Sequence, residues 1–164
     1  MTAVYIAVMF IHITASIAWV GGMAYLRFVL LPGLGRTSPQ VRGPMLVEVA
    51  QPTVRFLLRS AEVTILFGLG NFFLLGGPGH SPAWQGAIGA GLLVSIAIYV
   101  LGQAVTKPTT MRIVSTIQSI MGGSPEPEAQ QTLAGLAAKQ RSVLNTQFGL
   151  AVLVALTMAI ARFV

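Results

Sequence analysis

Residues 63–106 read VTILFGLGNFFLLGGPGHSPAWQGAIGAGLLVSIAIYVLGQAVT and contain no Asp, Glu, Lys or Arg. A helix needs about 20 apolar residues to cross roughly 30 Å of hydrocarbon, so this stretch is long enough for two membrane spans. The segment GGPGHSP at residues 76–82 divides it, because clustered glycines and prolines favour turns and interrupt helices. The stretch therefore predicts two membrane helices joined by a short turn.

Two further windows without charged residues flank this pair, at residues 1–26 and 142–161. Each is long enough for one helix, and backbone groups inside a bilayer find hydrogen-bond partners only in regular structure. We therefore predict an all-α integral membrane four-helix bundle, a single transmembrane domain over residues 1–164. Its expected spans are at about 4–30, 54–76, 83–105 and 141–162.

The composition of the chain supports a membrane location. Of its 164 residues, 54% are hydrophobic and 9% are charged, against about 25% charged in a soluble domain. This excludes an ordinary cytosolic globule, a disordered chain and a nucleic-acid-binding domain, although the net charge is +6. Cysteine is absent, which excludes disulfides, thiolate metal sites and iron–sulfur clusters.

Positive residues predict the orientation of the helices. All but one of the Lys and Arg residues flank the first or third connection, and the positive-inside rule places both connections in the cytoplasm. The amino and carboxyl termini are then outside. The residues are Arg27, Arg36, Arg42, Arg55, Arg59, Lys107, Arg112, Lys139 and Arg141.

The cytoplasmic connections carry helix signals of their own. Apolar residues recur every three positions after Pro108, and SPEPE at residues 124–128 is typical of a helix start. We therefore expect helices three and four to extend into the cytoplasm and to turn at residues 122–123. In the first connection, Ser38 and Pro39 predict a short helix that Pro44 and Pro52 break. The recurring apolar residues are Met111, Val114, Ile117 and Ile120.

His12 is the main candidate for a functional residue. It lies about 12 Å below the outer surface if helix one begins near residue 4. Ionisable groups within a membrane are costly and are functional candidates by default, and a neutral imidazole binds haem iron, copper or zinc. The alternative is a structural histidine that bonds to a neighbouring helix, such as to Asn71 or a hydroxyl group.

Other candidate ligands share the face or the depth of His12. Met9 and Trp19 lie on its helix face, and Met9 with His12 has the donor types of a soft copper site. A packing role for the methionine is the alternative. Met158 is a candidate second axial ligand because its depth in helix four is similar. His80 is either an external ligand or an exposed residue of the outer turn.

Arg55, Arg59 and Glu62 lie on one face near the cytoplasmic end of helix two. An Arg59–Glu62 ion pair is one interpretation, and anchoring of a haem propionate or phosphate by the arginines is another. A proton step at Glu62 is a third. The chain has no Asp and one carboxylate within its spans, so it lacks a paired acid and base and a Ser-His-Asp triad. No catalytic residue is predicted.

The run FIHITASIAWVGGMAYLR at residues 10–27 resembles the first helix of the CopD-like copper-resistance membrane family and of the related HemJ-type protoporphyrinogen oxidases. In both, a His is followed seven residues later by Trp and then by small residues. The stretch from Arg55 to Leu75 and the tryptophan Trp84 also resemble that group. The resemblance implies a helical bundle of the bacterial inner membrane, with haem b in one branch and copper in the other.

The leading hypothesis is therefore a haem b-binding protein that serves electron transfer, haem handling or sensing, with copper binding or transport as the alternative. HemJ-type enzymes have a functional Lys in a later helix, which helix three lacks, so an enzyme is not favoured. A cofactor-free accessory subunit is the third hypothesis.

The lipid bilayer is the expected partner, and binding to another membrane subunit or to a second copy of the chain is left open. Predicted cofactor contacts are His12, Trp19, Arg55, Arg59 and Asn71; predicted metal ligands are His12, Met9, Met158 and His80.

Overall fold

A computed structural model of the chain describes residues 2–74, 79–123 and 127–163. Throughout these ranges the protein is helical and contains no strand. Two π-helical segments, Leu26–Leu30 and Gly102–Thr106, join α1 to α2 and α4 to α5 without a break. The helices are α1 (Thr2–Tyr25), α2 (Leu31–Gly35), α3 (Pro39–Leu74), α4 (Pro82–Leu101), α5 (Lys107–Gly122) and α6 (Pro127–Ile160), followed by a 3₁₀ turn, Ala161–Phe163.

Four continuous helical units are long and apolar enough to cross a membrane, which confirms the prediction of a four-helix membrane protein. They are Ala3–Gly35, Pro39–Leu74, Pro82–Gly122 and Pro127–Ile160. The predicted turn at residues 76–82 and the predicted helix start at residues 124–128 fall partly on residues 75–78 and 124–126, outside the described residues. Which end faces the cytoplasm stays a prediction.

The prediction that Pro44 and Pro52 break the first connection is wrong. Both prolines lie inside α3, a single helix of 36 residues. An interior proline removes one backbone hydrogen bond and crowds the preceding turn, at a cost of about 3 kcal/mol. Contacts of α3 with α1 and α5 offset this cost, since tertiary packing outweighs local preference in the stability of protein helices. The first connection is therefore short, and most of it is an extension of helix two.

The two π-helical segments share a local cause. Pro32 follows the first segment by two residues, and Pro108 follows the second by two residues. A proline ring clashes with the carbonyl four residues earlier in an α-helix. A wider π-helical turn moves that carbonyl away from the ring, so the helix continues through the proline instead of ending there.

Helix packing places a small core near the middle of the bundle. α1 packs mainly against α3, α4 against α6, and α5 against both α3 and α6. Trp19 and Met23 of α1 lie in this core with residues of the other helices. Large apolar side chains such as Phe10 and Leu93 point outward and are 67% and 69% exposed, as expected for helices that face lipid. The remaining core members are Ala61, Ile98 and Ala151.

Arg42 holds the end of α2. Its guanidinium donates to the carbonyl oxygens of Leu34, Gly35 and Thr37, each at 2.8 Å. The carbonyls belong to the last turn of α2 and to the turn after it, where regular helical bonding ends, and the Leu34 carbonyl also accepts from the Thr37 hydroxyl at 2.8 Å. Arg42→Met is expected to lower the free energy of unfolding by about 2 kcal/mol, since charge-assisted hydrogen bonds are lost. Denaturant unfolding in detergent measures it, with exposed Arg36→Met as the matched control; equal effects of both changes would contradict the role of Arg42.

Candidate functional site

His12 is held by the backbone of α3. Its Nδ1 lies 2.8 Å from the carbonyl oxygen of Thr64. A carbonyl oxygen only accepts, so Nδ1 carries the hydrogen and donates it. In the neutral form of the ring, Nε2 then carries a lone pair. No described residue forms a hydrogen bond with Nε2. The predicted bond to a neighbouring helix is present, but its partner is a backbone carbonyl rather than Asn71 or a hydroxyl group.

Gly68 provides the space for the imidazole. A Cβ atom at this position would lie 2.9 Å from Cε1 and 3.2 Å from Nδ1 of His12. Contacts this short do not occur, so any larger residue would push the ring away. Because Gly68 follows Thr64 by one turn, the same strip of α3 supplies both the acceptor for the ring and the gap that admits it.

Met9 and Asn71 meet one turn nearer the same end of the bundle. The Asn71 amide nitrogen donates to Sδ of Met9 at 3.6 Å, a weak bond to sulfur. Asn71 is only 6% exposed, and its Oδ1 is buried with no hydrogen-bond partner among the described residues. Met9 and Asn71 are thus in contact across the α1–α3 interface, about one helical turn from the contacts of His12 with Thr64 and Gly68.

Three other predicted ligands lie elsewhere. Trp19 is 5% exposed and belongs to the central core, about 10 Å along α1 from His12. Met158 packs against Gly91, where a Cβ would lie 2.6 Å from the methionine Cε. His80 is exposed and stacks on Trp84, with 4.1 Å between ring centroids. His12 instead packs against Thr64 and Gly68 of α3.

The predicted anchors Arg55 and Arg59 also lie away from His12. Both are exposed, and Arg59 is nine residues before Gly68, which places it on the opposite face of α3. The predicted Arg59–Glu62 ion pair is confirmed, at 2.7 Å. The other Glu62 oxygen accepts from the Tyr99 hydroxyl of α4, also at 2.7 Å. The ion pair therefore extends into a link between two helices.

Gln147 of α6 makes a polar link between helices deeper in the bundle. It donates to the carbonyl of Ile98 at 3.1 Å and accepts from Thr106 at 2.9 Å. Neither these partners nor the pairing of Tyr99 with Glu62 was predicted from the sequence, because the register between two helices is set by their packing and not by the periodicity within one helix.

A cavity between the helices lies away from His12. It has a volume of about 120 Å³ and is lined by neither His12 nor Met158. Pockets for drug-sized ligands are roughly 300–1,000 Å³. Of the predicted haem contacts, only His12 and Asn71 lie at the same end of the α1–α3 interface. The predicted haem contacts therefore do not gather around one cavity.

The donor types at this interface suit a soft ion. Among the described residues there is no group of three or more His, Cys, Asp or Glu able to hold a metal. Hard cations and structural zinc depend on such groups. Thioether sulfur and imidazole nitrogen, which Met9 and His12 supply, are ligands that copper(I) prefers.

No family model, no curated protein and no solved structure matches this chain. The resemblance of residues 10–27 to the CopD-like and HemJ-type families therefore stays a prediction. The geometry around His12 is the main guide to function.

Proposed function

We propose that this integral membrane protein binds copper(I) through Met9 and His12, at the end of the bundle where α1 begins and α3 ends. The observation that carries the proposal is the hydrogen bond from His12 Nδ1 to the Thr64 carbonyl. Metal-ligating histidines usually donate their second ring nitrogen to a carbonyl or carboxylate, which fixes the tautomer and orients the lone pair. His12 has this arrangement before any metal is added.

The neighbouring groups favour a monovalent soft cation. Met9 and His12 are three residues apart on α1, so their side chains leave the helix on one face. Asn71 Oδ1 is buried without a partner, which costs about 1–3 kcal/mol and which a nearby cation would relieve. Thioether and amide groups carry no charge and a histidine binds metal as the neutral imidazole, so a copper(I) site would add a single charge to the membrane interior. We infer a role in copper handling at the bacterial inner membrane.

Haem b is the second candidate. An axial histidine also binds iron through a lone pair that is oriented by a second hydrogen bond, so the fixed ring of His12 favours this group as well. The remaining predicted haem contacts do not gather around His12. The cavity of about 120 Å³ between the helices is not lined by His12 and is too small for the macrocycle. Copper(I) needs few ligands, and Met9 and His12 are one turn apart on α1, so we rank it first.

The test is a copper(I) titration of purified, reduced protein in detergent, in competition with a chromogenic chelator. We expect one copper per chain by elemental analysis, and no Soret band after haem is added. Met9→Leu should weaken copper binding about tenfold, because one soft ligand is lost. Met158→Leu is the matched control and should bind as the parent does. Protein that takes up no copper, or that instead acquires a Soret band, would refute the copper proposal.

A further inference from the structure

Two arginines of α3 border an open groove on the surface of the bundle. The groove has a volume of about 400 Å³ and is lined by Gln51, Pro52, Arg55, Phe56 and Arg59. These five residues share one face of the helix, since each lies three to four positions, or one turn, from another. Arg55 is nine residues before Thr64, so the groove begins about 14 Å along α3 from the carbonyl that holds His12. The copper proposal uses none of these residues.

Arg55 gives the groove a positive charge that nothing nearby compensates. Its side chain is exposed, and it forms no ion pair among the described residues. Arg59 is also exposed, but its Nη1 is paired with Glu62, so this charge is cancelled while other N–H groups of the guanidinium remain available. Cβ atoms four residues apart on a helix are about 5–6 Å from each other, so both guanidinium groups can donate to one phosphate.

The position of the groove along α3 matches the level of phospholipid phosphates. Trp84 stacks on Phe72 near the other end of α3, with 5.8 Å between ring centroids, and tryptophan is enriched at membrane–water interfaces. Arg55 is seventeen residues before Phe72, so about 26 Å of helix separates them, close to the roughly 30 Å of a hydrocarbon core. Side chains on a helix lean toward its amino terminus, which brings both guanidinium groups nearer to the head groups at that interface.

Exposed apolar side chains continue from the groove toward the membrane interior. Phe56 is exposed, and its ring lies beside α1, where a Cβ added to Gly22 would be 3.4 Å from Cε1 of the ring. Leu66 and Phe73 follow Arg59 at intervals of seven residues, which keeps them on the same face of α3, and both are exposed. Apolar surface that begins directly beside two arginines fits an acyl chain attached to a phosphate.

We propose that this groove binds the head group of an anionic phospholipid, with its phosphate between Arg55 and Arg59 and an acyl chain along Phe56 and Leu66. A phosphodiester carries one negative charge, which balances the charge of Arg55. Zwitterionic phospholipids present the same phosphate together with an ammonium group, so they bind less tightly. The leaflet at this end of α3 is predicted to be cytoplasmic, and anionic lipids give that leaflet its negative surface potential. Glu48, the nearest other carboxylate on this helix face, lies about 10 Å beyond Arg55 along α3 and does not line the groove.

The experiment measures the association of spin-labelled phosphatidylglycerol with the protein reconstituted into phosphatidylcholine vesicles. Electron paramagnetic resonance separates lipid that is restricted by the protein from free lipid, and spin-labelled phosphatidylcholine gives the reference value. We expect phosphatidylglycerol to be favoured about fivefold, or about 1 kcal/mol, as for one arginine near an anionic head group. Arg55→Gln should abolish this preference. Arg112→Gln removes the same charge from an exposed position of α5, so it is the matched control and should retain the preference.

Glu62→Gln provides a change of opposite sign. It removes the carboxylate that neutralises Arg59 but keeps an acceptor for the Tyr99 hydroxyl, so the preference for phosphatidylglycerol should rise about a further fivefold.

Inorganic phosphate, added at constant ionic strength, distinguishes a lipid site from a site for dissolved anions. It should leave the restricted fraction of phosphatidylglycerol unchanged, and displacement of the lipid would assign the groove to soluble phosphates instead. Equal association of phosphatidylglycerol with the parent, Arg55→Gln and Glu62→Gln proteins would overturn the proposal. An equal loss in Arg55→Gln and Arg112→Gln would also overturn it, because attraction to the overall charge of the protein would then account for the preference.

Discussion

His12→Ala is expected to lower the affinity for copper(I) at least about a hundredfold. The substitution removes the ligand whose Nε2 is free and whose Nδ1 is bound to the Thr64 carbonyl at 2.8 Å. Loss of an outer-shell partner alone typically costs 10–100-fold in metal affinity, and loss of the ligand itself should cost more. The fold should persist, because a hydrogen bond between membrane helices contributes only about 1 kcal/mol. Chelator competition and elemental analysis measure the affinity, and circular dichroism measures helix content.

His80→Ala is the matched control for this experiment. His80 is exposed and stacks on Trp84, so its removal should leave the α1–α3 interface intact. Equal copper content in the two variants and the parent would show that His12 is not the ligand. Loss of copper in both would place His80 at the site, in accordance with the alternative drawn from the sequence.

Gly68→Val is expected to have the second-largest effect, because it displaces the imidazole without removing it. A Cβ at this position would lie 2.9 Å from Cε1 of His12. The ring must move, its bond to the Thr64 carbonyl should be lost, and copper affinity should fall about 10–100-fold. Overpacking should also lower the free energy of unfolding by about 1–3 kcal/mol. The same titration and unfolding in detergent measure both effects.

A double-mutant cycle separates this contact from a general effect of valine in the helix. Gly89→Val in α4 is a control, since no atom lies within 4 Å of the added Cβ. In the His12→Ala background, Gly68→Val should destabilise the protein much less, because the ring that it would strike is absent. If the cost of Gly68→Val is the same in both backgrounds, His12 and Gly68 are not in contact as described.

The four-helix architecture could be predicted because it depends on local composition. Each charge-free stretch identifies its own helix, and the bilayer leaves the backbone little choice of structure. The Arg59–Glu62 pair was also predictable, since both residues lie on one helix three positions apart. Boundaries were less predictable. Pro44 and Pro52 suggested a break, yet packing of α3 against its neighbours keeps the helix continuous through both.

The hydrogen-bond partners of individual side chains could not be predicted from local composition. Arg42 was counted only as a positive charge, whereas it holds three carbonyls at the end of α2. Gln140 gave no signal, although its Oε1 is buried without a hydrogen-bond partner among the described residues. Such contacts join residues that are close only after the helices pack, so no periodicity within one helix reveals them.

By itself the sequence determined that the chain forms membrane-spanning helices and that His12 lies within one of them, because hydrophobicity and charge act locally and sum along the chain. Only the tertiary structure decided what surrounds His12. The register of α1 against α3 places the ring against Gly68 and the Thr64 carbonyl, and it places Met9 against Asn71. That register arises from the interlocking of side chains across an interface, which is a property of two surfaces together.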